Sequence, residues 1–231
     1  MTIQGVLFDI DDTLIDYSAT VRIGFLRHLA AEGALDRFDS PDAAVAVWRA
    51  IEDEEYPRFV AGELSFTEQQ QVRTERFLAH IGVTGEDPMA WFGRYAAQRD
   101  TAWAAFPDAA PILRSLDGRV RLGVISNASL PYQIRKLRAV GLLSHFGEAI
   151  VCSDEFGAAK PDPSIFLAGC ALIGLEPGRV AYVGDRYDWD ALGARDAGLQ
   201  SFWLVRDDAG ATAADGITVI RSLAELDSAL G

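Results

Sequence analysis

Lysine is almost missing from this sequence. Of its 21 basic residues two are lysines, Lys136 and Lys160, and the other 19 are arginines. A sequence that takes arginine nearly everywhere makes a lysine in a loop a residue chosen for its compact point charge rather than a casual surface group. Cysteine is scarce as well. Cys152 and Cys170 lie in apolar stretches and have no metal-ligand spacing, so they read as buried free thiols, and a cytoplasmic location is expected. No apolar run approaches the roughly 20 residues needed to span a bilayer. Asp9 interrupts the one candidate leader stretch, so neither a membrane segment nor a secretion signal is expected. Positive charge is short overall. The net charge of −13 argues against a nucleic-acid partner, and its field would repel an anionic substrate. A phosphate-handling protein with this balance needs local positive charge, from a metal ion or a few placed cations.

What is present suffices for a packed fold: 231 residues, 49% hydrophobic and 24% charged, enough for one large domain or a core with a smaller insert. Residues 3–9 (IQGVLFD) read as a short strand, and about ninety residues of helical pattern follow it. Within that block Ser40-Pro41 reads as the start of a helix carrying Val45, Trp48 and Ile51. Thr67 and Gln70 fit a capping box for a helix ending at Gly82, and a further helix is expected from Asp87 towards Trp103. From residue 108 the rhythm changes. A helix over Asp108–Leu116 leads to the strand VRLGVISN, then come a helix ending near Gly141 and the strand EAIVC. A helix after Pro163, the strand RVAYVGD, a helix stopped at Gly198, the strands SFWLV and ITVI, and a terminal helix complete the chain. Short apolar strands alternating with helices predict an α/β fold, a mostly parallel sheet between two helical layers. The helical block is then an insertion after the first strand.

Parallel strands bury their length and expose their carboxyl ends, where ligands bind in such sheets. Asp9 ends the first strand, Ser126 the second and Asp185 a later one, so all three should meet at one edge. An ionised Asp9 can serve as nucleophile or metal ligand, and Asp11, past the turn, can give or take a proton. The plain alternative for this segment is an Asx turn or helix cap. In VGDRYDWD, Asp185 follows a strand and Asp190 comes five residues later. With Asp9 they offer hard oxygen ligands of the kind Mg²⁺ takes, N-capping by Asp185 or Asp188 being the structural alternative. In AAKPDPSIF, Lys160 can bridge a carboxylate and a phosphoryl oxygen. In VISNAS, Ser126 and the amides of the following helix can hold a phosphate.

Taken in order, these segments resemble the motifs of the haloacid dehalogenase superfamily, whose members are mostly phosphatases. Asp9, Asp11 and Thr13 match the Asp-x-Asp-x-Thr motif after an apolar strand, Ser126 the Ser or Thr ending the next core strand, and Lys160 the lysine before a Pro-containing loop. Gly184-Asp185 with Asp190 matches the fourth motif, although Trp189 stands where that family often has Asn. The resemblance covers essentially the whole chain. It implies a Rossmann-like core of residues 1–14 and 108–231 and an α-helical cap of residues 15–107, with hinges at Leu14–Asp16 and Ala105–Asp108. It further implies that Asp9 attacks phosphorus to form an aspartyl-phosphate and that Asp11 acts as general acid and base. Mg²⁺ would be held by Asp9, the Asp11 main-chain oxygen and Asp185. Asp190 would orient metal-bound water or Lys160. Thr13, Ser126, Asn127 and Lys160 would serve the substrate's phosphoryl group, and the expected partner is a small phosphorylated metabolite.

Four rivals bear on the same residues. A haloacid dehalogenase proper lacks the second Asp, because a halide leaving group takes no proton, so Asp11 favours an ester. A phosphosugar mutase shares all four motifs. A signalling receiver domain places its phosphoacceptor on a later strand than its acidic pair, unlike Asp9. A retired scaffold would not need every motif residue intact. Within the helical block, Arg58, Arg73 and Arg76 are either binders of a second anionic group or partners of the many glutamates. Trp48, Tyr56, Phe59 and Phe66 are either a stacking surface or core.

Overall fold

The computed structural model describes residues 2–207 and 210–230. The chain divides into two compact units, one of Met1–Asp16 with Ala104–Gly231 and one of Tyr17–Trp103.

The Tyr17–Trp103 unit is helical: α1 (Tyr17–Ala31), α2 (Pro41–Val60), α3 (Phe66–His80) and α4 (Pro88–Arg99). The helix starts are set by their caps. Ser40 Oγ accepts from the Ala43 amide ahead of Pro41, and Asp87 accepts from the Met89 and Ala90 amides. The capping box of α3 is Ser65 with Glu68, not Thr67 with Gln70. Ser65 Oγ accepts from the Glu68 amide at 3.2 Å and Glu68 Oε2 from the Ser65 amide at 2.8 Å, so the helix begins before Thr67. The core of the unit is aromatic. Phe25 of α1 stacks on Trp48 of α2 at 5.0 Å between ring centres and meets Phe77 of α3 edge-on at 5.1 Å, while Tyr95 of α4 meets Trp48 at 5.1 Å. Phe25, Trp48 and Phe77 are completely buried, each stabilising the unit by roughly 2–3 kcal/mol. Tyr56, Phe59 and Phe66 form a smaller aromatic group. The arginines here answer to glutamates. Arg73 pairs with Glu52 at 3.0 Å and lies over the Trp48 ring, Arg58 pairs with Glu55 and Glu63, and Arg76 with Glu54 and Glu55.

Among the described residues the other unit holds six strands: β1 (Gly5–Phe8), β2 (Arg121–Ser126), β3 (Ile150–Cys152), β4 (Val180–Gly184), β5 (Gln200–Leu204) and β6 (Ile217–Ile220). They make one sheet, ordered β3-β2-β1-β4-β5-β6, with every neighbouring pair parallel. Its helices are α5 (Ala109–Leu116), α6 (Leu130–Ala139), α7 (Ser153–Phe156), α8 (Pro163–Leu172), α9 (Leu192–Asp196) and α10 (Leu226–Leu230). The fold is α/β and Rossmann-like. Alternation along the strands serves both sheet faces: Leu7, Ile125 and Tyr182 pack with Ile165, Phe166 and Ala194 of α8 and α9 on one, while Phe8 meets Phe146 on the other. The two chain segments that lead out of this unit pair with each other. Ile15 forms an antiparallel bridge with Ala105, and the Phe106 amide donates to Leu14 O. Arg206 grips both, donating to Thr13 O and to the Asp108 carboxylate at 2.9 and 3.0 Å above the Phe106 ring. Cys152 and Cys170 are free and buried. Among the described residues no helix is long and apolar enough to cross a membrane.

Candidate active site

β1 lies between β2 and β4, with Phe8 level with Val124 and Val183, so the residues just past Phe8, Ile125 and Gly184 share the carboxyl edge. The Asp9 amide extends the ladder by donating to Val183 O. The chain then turns sharply. Asp12 takes a left-handed conformation (φ +56°), which an aspartate tolerates, and the Leu14 and Ile15 amides both return to Ile10 O. That turn carries Asp11 back to the edge that Asp9 occupies.

Lys160 is the hub. Its Nζ lies 2.6 Å from Asp9 Oδ1, 2.6 Å from Asp190 Oδ1 and 2.9 Å from the Tyr182 hydroxyl, three acceptors for three ammonium protons. The side chain is buried, which works against its charge, but the Asp190 and Asp9 carboxylates outweigh that and hold its pKa above the ordinary value. Asn127 fixes the lysine's backbone: its carboxamide oxygen accepts from the Lys160 amide at 2.7 Å and its nitrogen donates to Lys160 O at 2.9 Å. The Asn127 side chain, expected at the substrate, is thus engaged in holding the lysine loop. Asp190 sits in a π-helical turn, Tyr187–Ala191, that follows β4 and precedes α9. Both of its carboxylate oxygens are engaged. Oδ1 takes Lys160 and Tyr182, and Oδ2 takes the Arg186 amide at 3.0 Å.

Asp9, Asp185 and Asp190 each bring a carboxylate oxygen to within 4.8 Å of the others. Burial pushes Asp9 up to about 7 against the pull of Lys160, with the Asp190 and Asp11 charges adding to the rise. Asp185 is raised well above the usual carboxylate range, first by burial and then by the charges of Asp9 and Asp190. Thr13, fully buried, donates to Asp185 Oδ1 at 3.4 Å, and the Trp203 indole nitrogen donates to Asp185 O at 2.8 Å. These three crowded carboxylates, of which Lys160 pairs with Asp9 and Asp190, form a donor set that could hold a hard divalent cation.

On the other side of Asp9, Ser126 Oγ accepts from Gln133 Nε2 at 2.8 Å, and the same nitrogen donates to Asp11 Oδ2 at 2.9 Å. Lys136 forms an ion pair with Asp11 Oδ1. Asp9, Asp11, Thr13, Ser126, Asn127, Lys160, Asp185 and Asp190 therefore all stand at one sheet edge. Gln133, Lys136 and Tyr182 join them and escaped the sequence reading. For Lys136 a signal existed, since it is the other of two lysines; a tyrosine inside an apolar strand and a glutamine on a helix carry none.

A haloacid dehalogenase-like hydrolase family model matches residues 3–198. The chain belongs to the haloacid dehalogenase-like hydrolases. A glyceraldehyde 3-phosphate phosphatase of Methanopyrus kandleri is 30% identical over 201 residues, 85% of this chain and 82% of the relative. Among solved structures, the HAD-hydrolase YfnB of Bacillus subtilis, bound to magnesium, is similar in fold, with a TM-score of 0.84 at 21% identity and full coverage of both chains. A HAD phosphatase of Thermococcus onnurineus has a TM-score of 0.67 at 28% identity, covering 99% of this chain and 98% of that one.

Proposed function

We propose that the protein hydrolyses a small-molecule phosphate monoester through an aspartyl-phosphate. The observation that carries the reading is the second carboxylate: Asp11 stands at the same edge as Asp9 and is linked through Gln133 to Ser126. A halide leaves without a proton, whereas an alkoxide needs one, so this hydrolase has a group that a dehalogenase has no use for.

Asp9 attacks phosphorus, forming an acyl–phosphate bond as the ester oxygen leaves with the proton of Asp11. Water then attacks the phosphorus of the intermediate, gives its proton to Asp11, and releases phosphate and the Asp9 carboxylate. Ser126 and Lys160 hold phosphoryl oxygens, and Asn127 holds Lys160 in place. Asp9 and Asp185 fit as ligands of Mg²⁺, which when bound supplies positive charge against the phosphoryl group. Asp190, with both oxygens engaged, orients Lys160. The Tyr17–Trp103 unit is assigned the role of a cap that selects the ester. The similarity to glyceraldehyde 3-phosphate phosphatases supports a short phosphorylated metabolite as substrate.

Phosphate release from a panel of esters tests the reading. The panel comprises glyceraldehyde 3-phosphate, phosphoglycolate, sugar phosphates, nucleoside monophosphates, riboflavin phosphate, phenyl phosphate and p-nitrophenyl phosphate, each with Mg²⁺ and with a chelator. Mg²⁺-dependent release is expected, with one short ester preferred. No release from any ester, or halide release from a 2-haloacid instead, would overturn the reading.

A further inference from the structure

Lys136 is completely buried on α6, three residues after Gln133, so both side chains leave the same helix face. Its ammonium pairs with Asp11 Oδ1, and Gln133 Nε2 donates to Asp11 Oδ2. Each carboxylate oxygen therefore has its own donor, and both donors come from one rigid element. The Tyr132 ring flanks the ammonium, 4.9 Å from Nζ to the ring centre. Through the second hydrogen of its amide, Gln133 also holds Ser126 Oγ, so the orientation of Asp11 is referenced directly to Ser126.

Stability does not account for this arrangement. Burying a lysine is costly, and replacing a buried ion pair by apolar groups of similar volume is often neutral or stabilising. The Asp11 side chain is 30% exposed, so water reaches it and no counter-ion is needed to rescue a dry charge. A methionine would fill the space of Lys136 with equal helix propensity. What an apolar residue could not do is aim the carboxylate.

We propose that Lys136 and Gln133 are positioning residues that hold the Asp11 carboxylate in one orientation relative to Ser126, and that the acid–base step depends on it; this rests on the phosphomonoesterase reading. Proton transfer to a leaving oxygen is sensitive to placement at the scale of an ångström, so loss of either donor costs most where that proton matters most.

Phenyl phosphate and p-nitrophenyl phosphate are similar in size and differ in how much protonation their leaving group needs. Lys136→Met is expected to lower kcat/KM for phenyl phosphate at least about fivefold more than for p-nitrophenyl phosphate. The inhibition constant of inorganic phosphate should stay within about twofold, and the melting temperature should hold or rise. Lys136→Arg, which restores a donor, should recover part of the difference. Should Lys136→Met fail to fold, Gln133→Met, with the lysine kept, must show the same differential loss. Equal losses on the two esters, or a weakened inhibition by phosphate that accounts for the whole effect, would overturn the proposal while wild-type turnover left the hydrolase reading intact. No turnover of either ester by the wild type would overturn both.

Discussion

Gly184 and Asp190 pack so closely that a methyl group on Gly184 would lie 2.5 Å from Asp190 Cβ. The last residue of β4 and the π-helical turn after it thus meet where only a hydrogen fits, and that contact seats the carboxylate that holds Lys160. Gly184→Ala is expected to push Asp190 off Lys160, lowering kcat more than tenfold and stability by about 1–3 kcal/mol, the usual cost of overpacking. Steady-state kinetics beside urea unfolding would check this, and a kcat within about twofold of wild type would count against Asp190 as the residue that orients Lys160.

Asp9→Asn is expected to abolish turnover with folding intact. Residual activity within about tenfold, or roughly 1.4 kcal/mol of barrier, would remove Asp9 as nucleophile. Asp11→Asn should damage phenyl phosphate more than p-nitrophenyl phosphate in the first chemical step. Equal damage would sink its acid role.

Crowding of Asp9 and Asp185, both pushed upward by burial and by neighbouring carboxylates, is a cost that a bound divalent cation relieves. At pH 7.5, millimolar Mg²⁺ should therefore raise the melting temperature, and a chelator should reverse the gain, since a ligand that binds only the folded state stabilises it. Asp185→Asn should abolish the Mg²⁺ dependence. A melting curve indifferent to Mg²⁺ in the wild type would argue against a cation site among these carboxylates.

His28 sits in the aromatic core of the helical unit, edge-on to Trp91 at 4.3 Å, with Nε2 buried and without a hydrogen-bond partner among the described residues. Burial lowers its pKa from 6.5 to about 4, with Arg94 adding to the fall and Glu32 opposing it. The unfolded chain therefore holds the extra proton between those two values. Stability from this group is full above pH 6.5 and declines as pH falls towards 4, by about 2 kcal/mol between pH 7 and pH 5. His28→Phe should flatten that part of the profile. Urea titrations at the two pH values, followed by fluorescence of the nearby Trp48 and Trp91, would show it; identical pH slopes in the two proteins would refute it.

Gly24 of α1 has the same relation to α4 that Gly184 has to Asp190. An added Cβ would stand 2.7 Å from Arg99 N, a backbone atom that cannot step aside. Gly24→Ala should separate α1 from α4 and lower the stability of the helical unit by about 1–3 kcal/mol. Unchanged unfolding would show that the helices can slide to absorb the methyl.

The motifs were legible because they are local. Asp9 and Asp11 sit on either side of one turn, Gly184 ends one strand and Asp185 follows it, and short apolar strands alternating with helices imply a parallel sheet whose carboxyl ends converge. The start of α3 was misread for an equally local reason: Thr67 and Gln70 have the right spacing, but Ser65 and Glu68 have it two residues earlier, and the backbone takes the first competent cap. The arginines of the helical unit were ambiguous in sequence, because each could bind an anion or a glutamate. Helix spacing sets Glu55 beside Arg58, three residues on in α2, but only packing brings Glu52 to Arg73 and Glu55 to Arg76.

By itself, then, the sequence determined the α/β core, the insertion after β1 and the set of acidic and basic groups at the sheet edge. Tertiary structure decided which partner each of those groups takes. Lys136 reaches Asp11 across 125 residues of chain, Tyr182 meets Lys160 from a neighbouring strand, and Asn127 closes on the Lys160 backbone rather than standing open. Periodicity tells which face of an element is buried. It does not tell how far a long side chain extends or which charge waits at its tip, and those are fixed only when the elements are packed together.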